Sequence, residues 1–534
     1  MSPLRLLCPF GIDTAHRLAA MVLGALFALV VVGLTQAFAT GTDSSHADGP
    51  DFAAIDHYVK KEMEQTRMPG LALGIVKAEK VVHLEGFGEA DNSGRKVTPQ
   101  TPFIIGSLSK SFTALAIMQL VEAGKVELDA PVQRYLPWFR VADEEASTRI
   151  TVGELLNHTS GLSRASGGEA LLTEEGSKGA LEKAVRSLRT VELDRPVGRS
   201  FEYSNLNYTT LALIVQTVSG ESYEHYVKEH ILTPLNMKDS YMFVPEAERH
   251  GLATGHQYWF GWPFSGGGIE GNRAATPSGY ISSSAHDMSH YLIAQLNGGR
   301  YEGAQVLSAE GIAEMHDGTA NMHVGGSSYA MGWEDSKLGG VRVVRHSGDT
   351  GSFHANMILV PKSRWGVVVL MNGSNHLRLA GMDGIANGVV SLLLGHQPPP
   401  EPFEQAKVLL FVVLAVVALQ VVGMVRSGVL LRRWRTQPER RPTGVLRVAL
   451  RVVVPIVPNL LWAGICLVLL PWFSQTPLSI LVVTDSGLVQ VLSGAVALVW
   501  GVVLRPVLVL LILRTKGAHR DAGAPEEEGA TGRA

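Results

Sequence analysis

Cysteine is almost absent from this chain of 534 residues, which contains only Cys8 and Cys466. Cys8 lies close to the N-terminus and Cys466 lies in an apolar run near the C-terminus, so the stretch 40–397 has no cysteine. That absence excludes disulfide bonds, a cysteine nucleophile and cysteine ligands for a metal in this stretch. Its folded state must therefore be stable through its hydrophobic core alone.

An excess of positive charge is also missing, since 46 lysine and arginine residues stand against 49 aspartate and glutamate residues, a formal net charge of -3. This balance does not indicate a nucleic-acid partner. His286 and His290 flank Asp287 at helical spacing. Because no third ligand and no H-E-x-x-H pattern accompany the two histidines, the sequence favours a solvated helix face over a metal site.

The first 39 residues have the pattern of a secretory signal peptide. Arg5 and Arg17 precede the apolar run 18–34, and Ala37-Phe38-Ala39 supplies a small-x-small cleavage site. We expect cleavage after Ala39. An uncleaved anchor helix is the alternative.

Three further apolar runs follow residue 407, at 408–425, 452–472 and 488–513. Each is about long enough to cross a bilayer. The segment between the first two carries eight arginines, whereas 473–487 has no lysine or arginine. The positive-inside rule then predicts a three-helix membrane region at 408–516, a disordered cytoplasmic tail at 517–534 and an extracytoplasmic domain at 40–397, joined by the proline-rich linker 398–407. The expected location is the cell membrane.

Strand patterns lie at both ends of the stretch 40–397. "LALGIV" at 71–76 and "KVVHLEGFG" at 80–88 predict two strands, and "RVVRHSG", "SFHANMILV" and "WGVVVLMN" predict an antiparallel meander of three more. Helical patterns flank them at 51–66 and 376–394, while 107–330 reads mainly as helix and loop. The expected fold is α+β: one mixed, largely antiparallel sheet built from both chain ends, flanked by helices, with a helical subdomain.

A candidate nucleophile lies in "IIGSLSKSFTAL", where an apolar helical pattern follows Ser107-Leu108-Ser109-Lys110. Ser107 is predicted near the first helical turn, and Lys110 shares its face three residues later. A helix start offers N–H groups and positive potential to a developing oxyanion, and a lysine on the same face can take the serine proton. For an isolated S-x-x-K pattern, an N-cap serine and a solvated lysine are the commoner explanation.

Two later motifs change that assessment. Tyr203-Ser204-Asn205 follows in "FEYSNLNY", and His346-Ser347-Gly348 follows in "RHSGDTGSF". S-x-x-K, Y-x-N and a basic residue-x-glycine, in this order, resemble the serine β-lactamase and penicillin-binding-protein superfamily, and the Y-x-N element resembles its class C and D,D-peptidase branch. The stretches 151–162, which contains His158 in a predicted structural role, and 275–288 also resemble that branch, so that the resemblance covers 51–395.

The resemblance implies a class C β-lactamase-like fold and a set of roles. Ser107 would be acylated, Lys110 and Tyr203 would activate it, and Asn205 would hold a substrate carbonyl. The N–H groups of Ser107 and Asp349 would form the oxyanion hole. Neither a cofactor nor a metal is implied.

The resemblance also implies that His346 and Gly348 of the third motif contact the substrate. This motif departs from the usual pattern, because His346 and Gly348 stand where lactamases usually have lysine-x-glycine. Histidine is shorter and mostly neutral at pH 7, and this variant resembles the D-aminopeptidases and esterases of the superfamily. His256, in the aromatic "GHQYWFGWPF", and Asn356, on the strand after the motif, are further candidate substrate contacts.

These features predict a membrane-anchored, extracytoplasmic serine hydrolase acting on small peptide or N-acyl-D-amino-acid amide substrates. The layout of signal, hydrolase domain and three membrane helices resembles the prodrug-activating peptidases of nonribosomal peptide pathways, such as the colibactin-maturation peptidase. A β-lactamase, a D,D-carboxypeptidase and an esterase are alternatives within the superfamily. A penicillin-binding sensor without turnover is the alternative outside enzymes, and the sequence leaves the oligomeric state open.

Overall fold

A computed structural model describes much of the chain, namely residues 50–162, 177, 179–259, 262–265, 273–322, 326–374, 379–399, 403–440, 446, 456–469, 485–507 and 510. The predicted signal at 1–39 and the predicted tail at 517–534 lie outside these residues, as do the ends of the second apolar run and the C-terminal end of the third. Among the described residues, no helix combines the length and the apolar character needed to cross a bilayer.

The described α-helices are numbered in chain order: α1 Phe52–Thr66, α2 Ser109–Glu122, α3 Glu144–Arg149, α4 Val152–Leu156, α5 Ala180–Ser187, α6 Asn205–Ser219, α7 Tyr223–Val227, α8 Val244–Arg249, α9 Ala285–Leu296, α10 Ala309–Met315, α11 Leu379–Leu393, α12 Phe403–Thr436, α13 Ile456–Gly464 and α14 Asp485–Leu498. Side-chain caps fix several starts. Asp51 accepts from the backbone N–H of Ala54 at α1, and Thr151 and Glu154 form a capping box at α4.

The described strands are β1 Gly70–Lys77, β2 Lys80–Gly88, β3 Phe103–Ile104, β4 His256–Trp259, β5 Trp262–Ser265, β6 Ser282–Ser283, β7 Arg300–Tyr301, β8 Ala304–Gln305, β9 Ala320–Asn321, β10 Ser328–Tyr329, β11 Glu334–Leu338, β12 Val341–Asp349, β13 His354–Val360, β14 Trp365–Met371 and β15 Gly373–Ser374. Eight of them form one antiparallel sheet in the order β2-β1-β14-β13-β12-β11-β10-β9. The N-terminal hairpin pairs with the C-terminal meander, as the sequence predicted.

Side chains of the central strands alternate between two covered faces. The inner face carries Val344 of β12 and Ala355, Met357 and Leu359 of β13, which belong to the same core as α2 and α9. The outer face carries Val343, Ile358 and Val360, which share a second core with α1 and α11. Because both faces are covered, β13 and β14 are buried along their whole length, which explains their nearly continuous apolar sequences.

The chain between β2 and β9 supplies most of the helices, in agreement with the predicted helical subdomain. Two short strands in this region, β3 and β6, pair with each other, and the segment after β3 leads into α2. This pairing places the start of α2 against the C-terminal end of β12, where the first and third sequence motifs meet.

Candidate active site

Ser107 lies in a 3-10 turn, Gly106–Leu108, which runs directly into α2. The preceding chain is anchored by the β3–β6 pair and by the Ile105 N–H, which donates to Ile281 O at 3.0 Å. Gly106 has a φ of 57°, a left-handed conformation that favours glycine. The chain therefore turns sharply before Ser107 and presents it at a helix start.

Two proton-transfer groups lie within hydrogen-bond distance of the Ser107 hydroxyl. Lys110 Nζ is 3.0 Å and Tyr203 OH is 2.8 Å from Ser107 Oγ. Lys110 is fully buried, and its Nζ also lies 2.7 Å from Asn205 Oδ1 and 2.7 Å from Ser278 O. The structure thus brings the residues of the first two predicted motifs into one cluster.

The surroundings of Lys110 Nζ define what it can do for the serine. The carbonyl oxygens of Asn205 and Ser278 can only accept, so Nζ donates one N–H to each of them. Toward Ser107 Oγ, 3.0 Å away, the nitrogen holds a third N–H or, after losing a proton, a lone pair. In the second state it can accept the hydroxyl proton of Ser107.

His158 supports the segment that carries Tyr203. Its ring is fully buried with its centroid 4.4 Å from that of Tyr203, and its Nδ1 accepts from the backbone N–H of Ser204 at 3.2 Å. The same Nδ1 lies 2.9 Å from Asn207 Nδ2. These contacts fit the structural role that the sequence predicted for His158, because they hold Tyr203, the Ser204 backbone and Asn207 just beyond the Tyr-x-Asn segment.

Gly348 allows β12 to approach the candidate nucleophile. A Cβ at residue 348 would lie 2.1 Å from Ile105 O and 3.0 Å from Ser107 N, and a Cβ at Gly106 would lie 2.5 Å from Asp349 N. The two backbones are therefore in direct contact, with no side chain between them. The N–H groups of Ser107 and Asp349 belong to these touching segments, as a two-donor oxyanion hole requires.

Replacing Gly348 with alanine is expected to lower kcat by about 10²-fold or more, because the added Cβ would push β12 away from Ser107 and misplace one oxyanion donor. Gly384→Ala is the matched control, since a Cβ there meets nothing within 4 Å. Steady-state kinetics of the two variants provide the test. Equal activity in both would contradict the close contact.

His346 is a buried neutral histidine beside the cluster. It is 4% exposed, its Nδ1 lies 2.6 Å from Ser347 O and its Nε2 lies 3.0 Å from Tyr329 OH. Burial, followed by the nearby Lys110 charge, lowers the pKa of His346 to about 3. With Nδ1–H donating to Ser347 and Nε2 accepting from Tyr329, the ring offers a substrate neither a charge nor a free N–H. The predicted direct contact of His346 with substrate therefore does not fit this geometry.

The neutral state of His346 predicts a pH effect on stability. Between a pH of about 6.5 and about 3 the unfolded chain binds a proton at this residue that the folded protein excludes. The free energy of unfolding is therefore not reduced by His346 above pH 6.5. As the pH falls through that window, it decreases by about 1.4 kcal/mol for each pH unit.

We therefore expect His346→Gln to lose less stability than the wild type when urea unfolding is measured at about pH 7 and about pH 4.5. Burial also lowers the pKa of His316 to about 3. Because His316 is present in both proteins, its effect on stability cancels in the comparison. Equal losses would mean that the folded protein protonates His346.

Tyr329 is the residue that the sequence analysis missed. It is fully buried on β10, hydrogen-bonded to His346, and its ring centroid lies 4.7 Å from that of His158 and 6.2 Å from that of Tyr203. Tyr329 thereby connects the third motif to the support of the second. Its short strand carries no periodicity that could have identified it.

Two further predicted substrate contacts lie elsewhere. The backbone N–H of His256 donates to Ser352 O and Asn372 O, and Nδ1 lies 2.9 Å from Asn372 O; no described side-chain hydrogen bond joins His256 to the Ser107 cluster. Asn356 lies on the outer face of β13, 3.0 Å from His354 Nε2. The sheet separates Asn356 from Ser107, so the predicted contact of Asn356 with a substrate amide does not fit this geometry.

The cluster of His286, Asp287 and His290 is not a solvated helix face, since Asp287 is fully buried and His290 is 4% exposed. Asp287 Oδ2 accepts from the N–H of Asp239 at 2.6 Å and from the hydroxyl of Ser240 at 2.8 Å. His290 Nδ1 lies 3.0 Å from Leu235 O. The carboxylate and the buried imidazole thus hold the preceding loop against α9.

The arrangement of Ser107, Lys110 and Tyr203 agrees with the family to which the sequence is similar. A family model described as Beta-lactamase matches residues 55–388, which is more than half of the chain. The chain belongs to the beta-lactamase family. This assignment confirms the superfamily that the sequence motifs indicated.

Three individual proteins show the extent of the likeness. Protein flp of Staphylococcus aureus (strain MW2) is 31% identical over 321 residues, which cover 60% of this chain and 62% of flp. Unguisins hydrolase ungD' of Aspergillus campestris is 27% identical over 355 residues, which cover 64% of each protein. The octameric penicillin-binding protein homologue from Pyrococcus abyssi has a TM-score of 0.58 at 31% identity and covers 66% of this chain and 79% of its own. The chain thus spans less than two thirds of the curated relatives named here.

Proposed function

We propose that residues 40–397 form a serine hydrolase that acts through an acyl-enzyme on Ser107. The observation that carries this proposal is the position of Ser107 Oγ, 3.0 Å from Lys110 Nζ and 2.8 Å from Tyr203 OH. These two groups can remove the hydroxyl proton and return it to a leaving group. The relative named as a hydrolase supports the same reaction class.

The reaction follows from the positions of these groups. Ser107 Oγ attacks the substrate carbonyl carbon while its proton passes to Lys110 or Tyr203. The carbonyl oxygen becomes an oxyanion that accepts from the N–H groups of Ser107 and Asp349. When the bond to the leaving group breaks, the stored proton passes to that group. Water then attacks the acyl-enzyme, gives its proton to the same base, and releases the acid as Ser107 regains its proton.

The preferred substrates in this proposal are amides or short peptides with a D-residue next to the scissile bond, such as N-acyl-D-amino-acid amides. A buried neutral His346 supports this choice, because the third motif then supplies no cation for a substrate carboxylate. A permanent cation at that position would suit a β-lactam or a D-alanyl carboxylate. The His-x-Gly motif therefore favours substrates without a free carboxylate at this point.

We also propose that the domain works outside the cytoplasmic membrane, tethered by the three C-terminal apolar runs. The signal pattern of residues 1–39 and the eight arginines between the first two runs both support this topology. Protease protection of spheroplasts would test it: external protease should remove the domain and spare an epitope placed on the C-terminal tail. Protection of the domain would overturn this topology.

A substrate panel tests the reaction class. We expect the purified protein to turn over an N-acyl-D-asparagine amide faster than a short-chain ester, a chromogenic cephalosporin or a D-Ala-D-Ala peptide. Fastest hydrolysis of the cephalosporin or of the D-Ala-D-Ala peptide would instead identify a β-lactamase or a D,D-carboxypeptidase. Acylation that stops at one equivalent with every substrate would identify a sensor.

A further inference from the structure

A buried histidine flanked by two carboxylates lies on the outer face of the sheet, directly behind the candidate oxyanion hole. His354 is 2% exposed and is the cross-strand partner of Asp349. Its Nδ1 lies 3.5 Å from Asp349 Oδ2, and its Nε2 lies 2.9 Å from Asp383 Oδ1 on α11. We refer to these three side chains as the Asp349–His354–Asp383 bridge, which connects β12 through β13 to α11.

The carboxylate of Asp349 has contacts beyond this bridge. Its Oδ1 accepts from the backbone N–H of Gly351 at 3.0 Å, and its Oδ2 accepts from the hydroxyl of Ser374 on β15. Gly351 belongs to the turn between β12 and β13 and has a φ of 82°. One side chain thus joins β12, the turn and β15. The backbone N–H of the same residue is the second oxyanion donor in the proposed reaction.

The charge on His354 depends on two opposing effects. Burial disfavours the charged ring, but the interactions of His354 with the Asp349 and Asp383 carboxylates outweigh burial and raise the pKa of His354 to about 9. The amide of Asn356 lies 3.0 Å from Nε2. The neighbouring charged groups on β12 and β11, Arg345 and Glu334, form an ion pair with each other at 3.3 Å. At pH 7 a cationic His354 therefore lies between two carboxylates.

We propose that His354 is a positioning residue for the hydrolase: it holds the Asp349 carboxylate and thereby aims the Asp349 N–H at the oxyanion beside Ser107. This inference rests on the proposed function. The N–H and the carboxylate belong to the same residue, Asp349. A backbone rotation that turns the Asp349 N–H away from the oxyanion would therefore also pull its carboxylate out of the bridge. Loss of one oxyanion donor reduces kcat by about 10²- to 10³-fold, so a misaimed donor should cost about tenfold.

The bridge has a defined pH dependence. Because His354 is protonated below a pH of about 9, its ion pairs are present at pH 7 and disappear as the pH rises through 9. The rate advantage that the bridge provides should disappear in the same range.

The test compares kcat of the wild type and of His354→Gln in the full-length protein. The concentration of active sites used to calculate kcat is measured by titration with a fluorophosphonate. At about pH 7 we expect the variant to be about tenfold slower with KM changed less than about twofold. The ratio of the wild-type kcat to the variant kcat should fall toward one above a pH of about 9. Since both proteins contain the other titratable groups of the site, the ratio isolates His354.

Asp56→Asn is the matched control. It alters another His–Asp contact, the 2.7 Å pair of His83 with Asp56 at the edge strand β2, and should leave kcat unchanged. Should His354→Gln fail to fold, Asp383→Asn tests the same bridge through a side chain that is 37% exposed. It should be several-fold slower, and its ratio to the wild type should also fall above a pH of about 9.

The possible results separate the two proposals. An active wild type with kcat unchanged in His354→Gln and Asp383→Asn would overturn the inference and leave the proposed function intact. A ratio that stays constant across the pH range would also overturn it, because a purely structural defect does not follow the charge of His354. A wild type that neither reacts with the fluorophosphonate nor turns over any substrate would overturn both.

Discussion

Replacing Ser107 with alanine is expected to remove turnover almost completely, with kcat lower by about 10⁴-fold or more. The substitution deletes the hydroxyl oxygen, which contacts both Lys110 Nζ and Tyr203 OH. It should leave the fold intact, because Lys110 keeps its hydrogen bonds to Asn205 and Ser278. Activity should fall through loss of chemistry, with an unchanged unfolding midpoint.

Ser111→Ala is the matched control for this prediction. Ser111 is a fully buried serine four residues from Ser107, and its hydroxyl donates to Leu108 O at 2.8 Å within the start of the same helix. A fluorophosphonate should label the wild type and Ser111→Ala but not Ser107→Ala, with the labelled peptide identified by mass spectrometry. Labelling that survives in Ser107→Ala would show that another residue is the nucleophile.

The sheet could be predicted from the sequence where burial leaves a strong pattern. β13 and β14 are long, apolar and bounded by turn residues, and β1 and β2 are separated by a short turn, so that their existence and pairing followed. β9 and β10 have two residues each. At that length no hydrophobic period exists, and such strands form because neighbouring strands offer hydrogen-bond partners.

The candidate site shows the same division. Ser107 and Lys110 are three residues apart, so helix geometry alone places them together, and the order of the motifs then indicated Tyr203 and Asn205. Asn356 was misplaced because the face that a strand residue occupies depends on register across a turn. Here Asp349 pairs with His354, which puts residue 356 on the outer face.

Substitution of Lys110 should give the second largest loss of activity. Lys110→Met keeps much of the side-chain volume but removes the nitrogen, and we expect kcat to fall by about 10³-fold. The carbonyl oxygens of Asn205 and Ser278 lose their donor, which costs about 1–3 kcal/mol for each buried group. Because the fully buried amine of Lys110 carries a desolvation cost that methionine does not, part of that loss is offset and the variant should still fold.

Lys110→Arg separates the role of Lys110 as a base from its role as a hydrogen-bond donor. A guanidinium can still donate to Asn205 and Ser278, but it stays protonated in proteins and cannot accept the proton of Ser107. If proton removal is the essential role, both variants should be inactive in the substrate panel, and both should react with the fluorophosphonate far more slowly than the wild type. Lys110→Arg with a tenth or more of wild-type kcat would show that donation to the neighbouring carbonyls is sufficient, and it would assign the base to Tyr203.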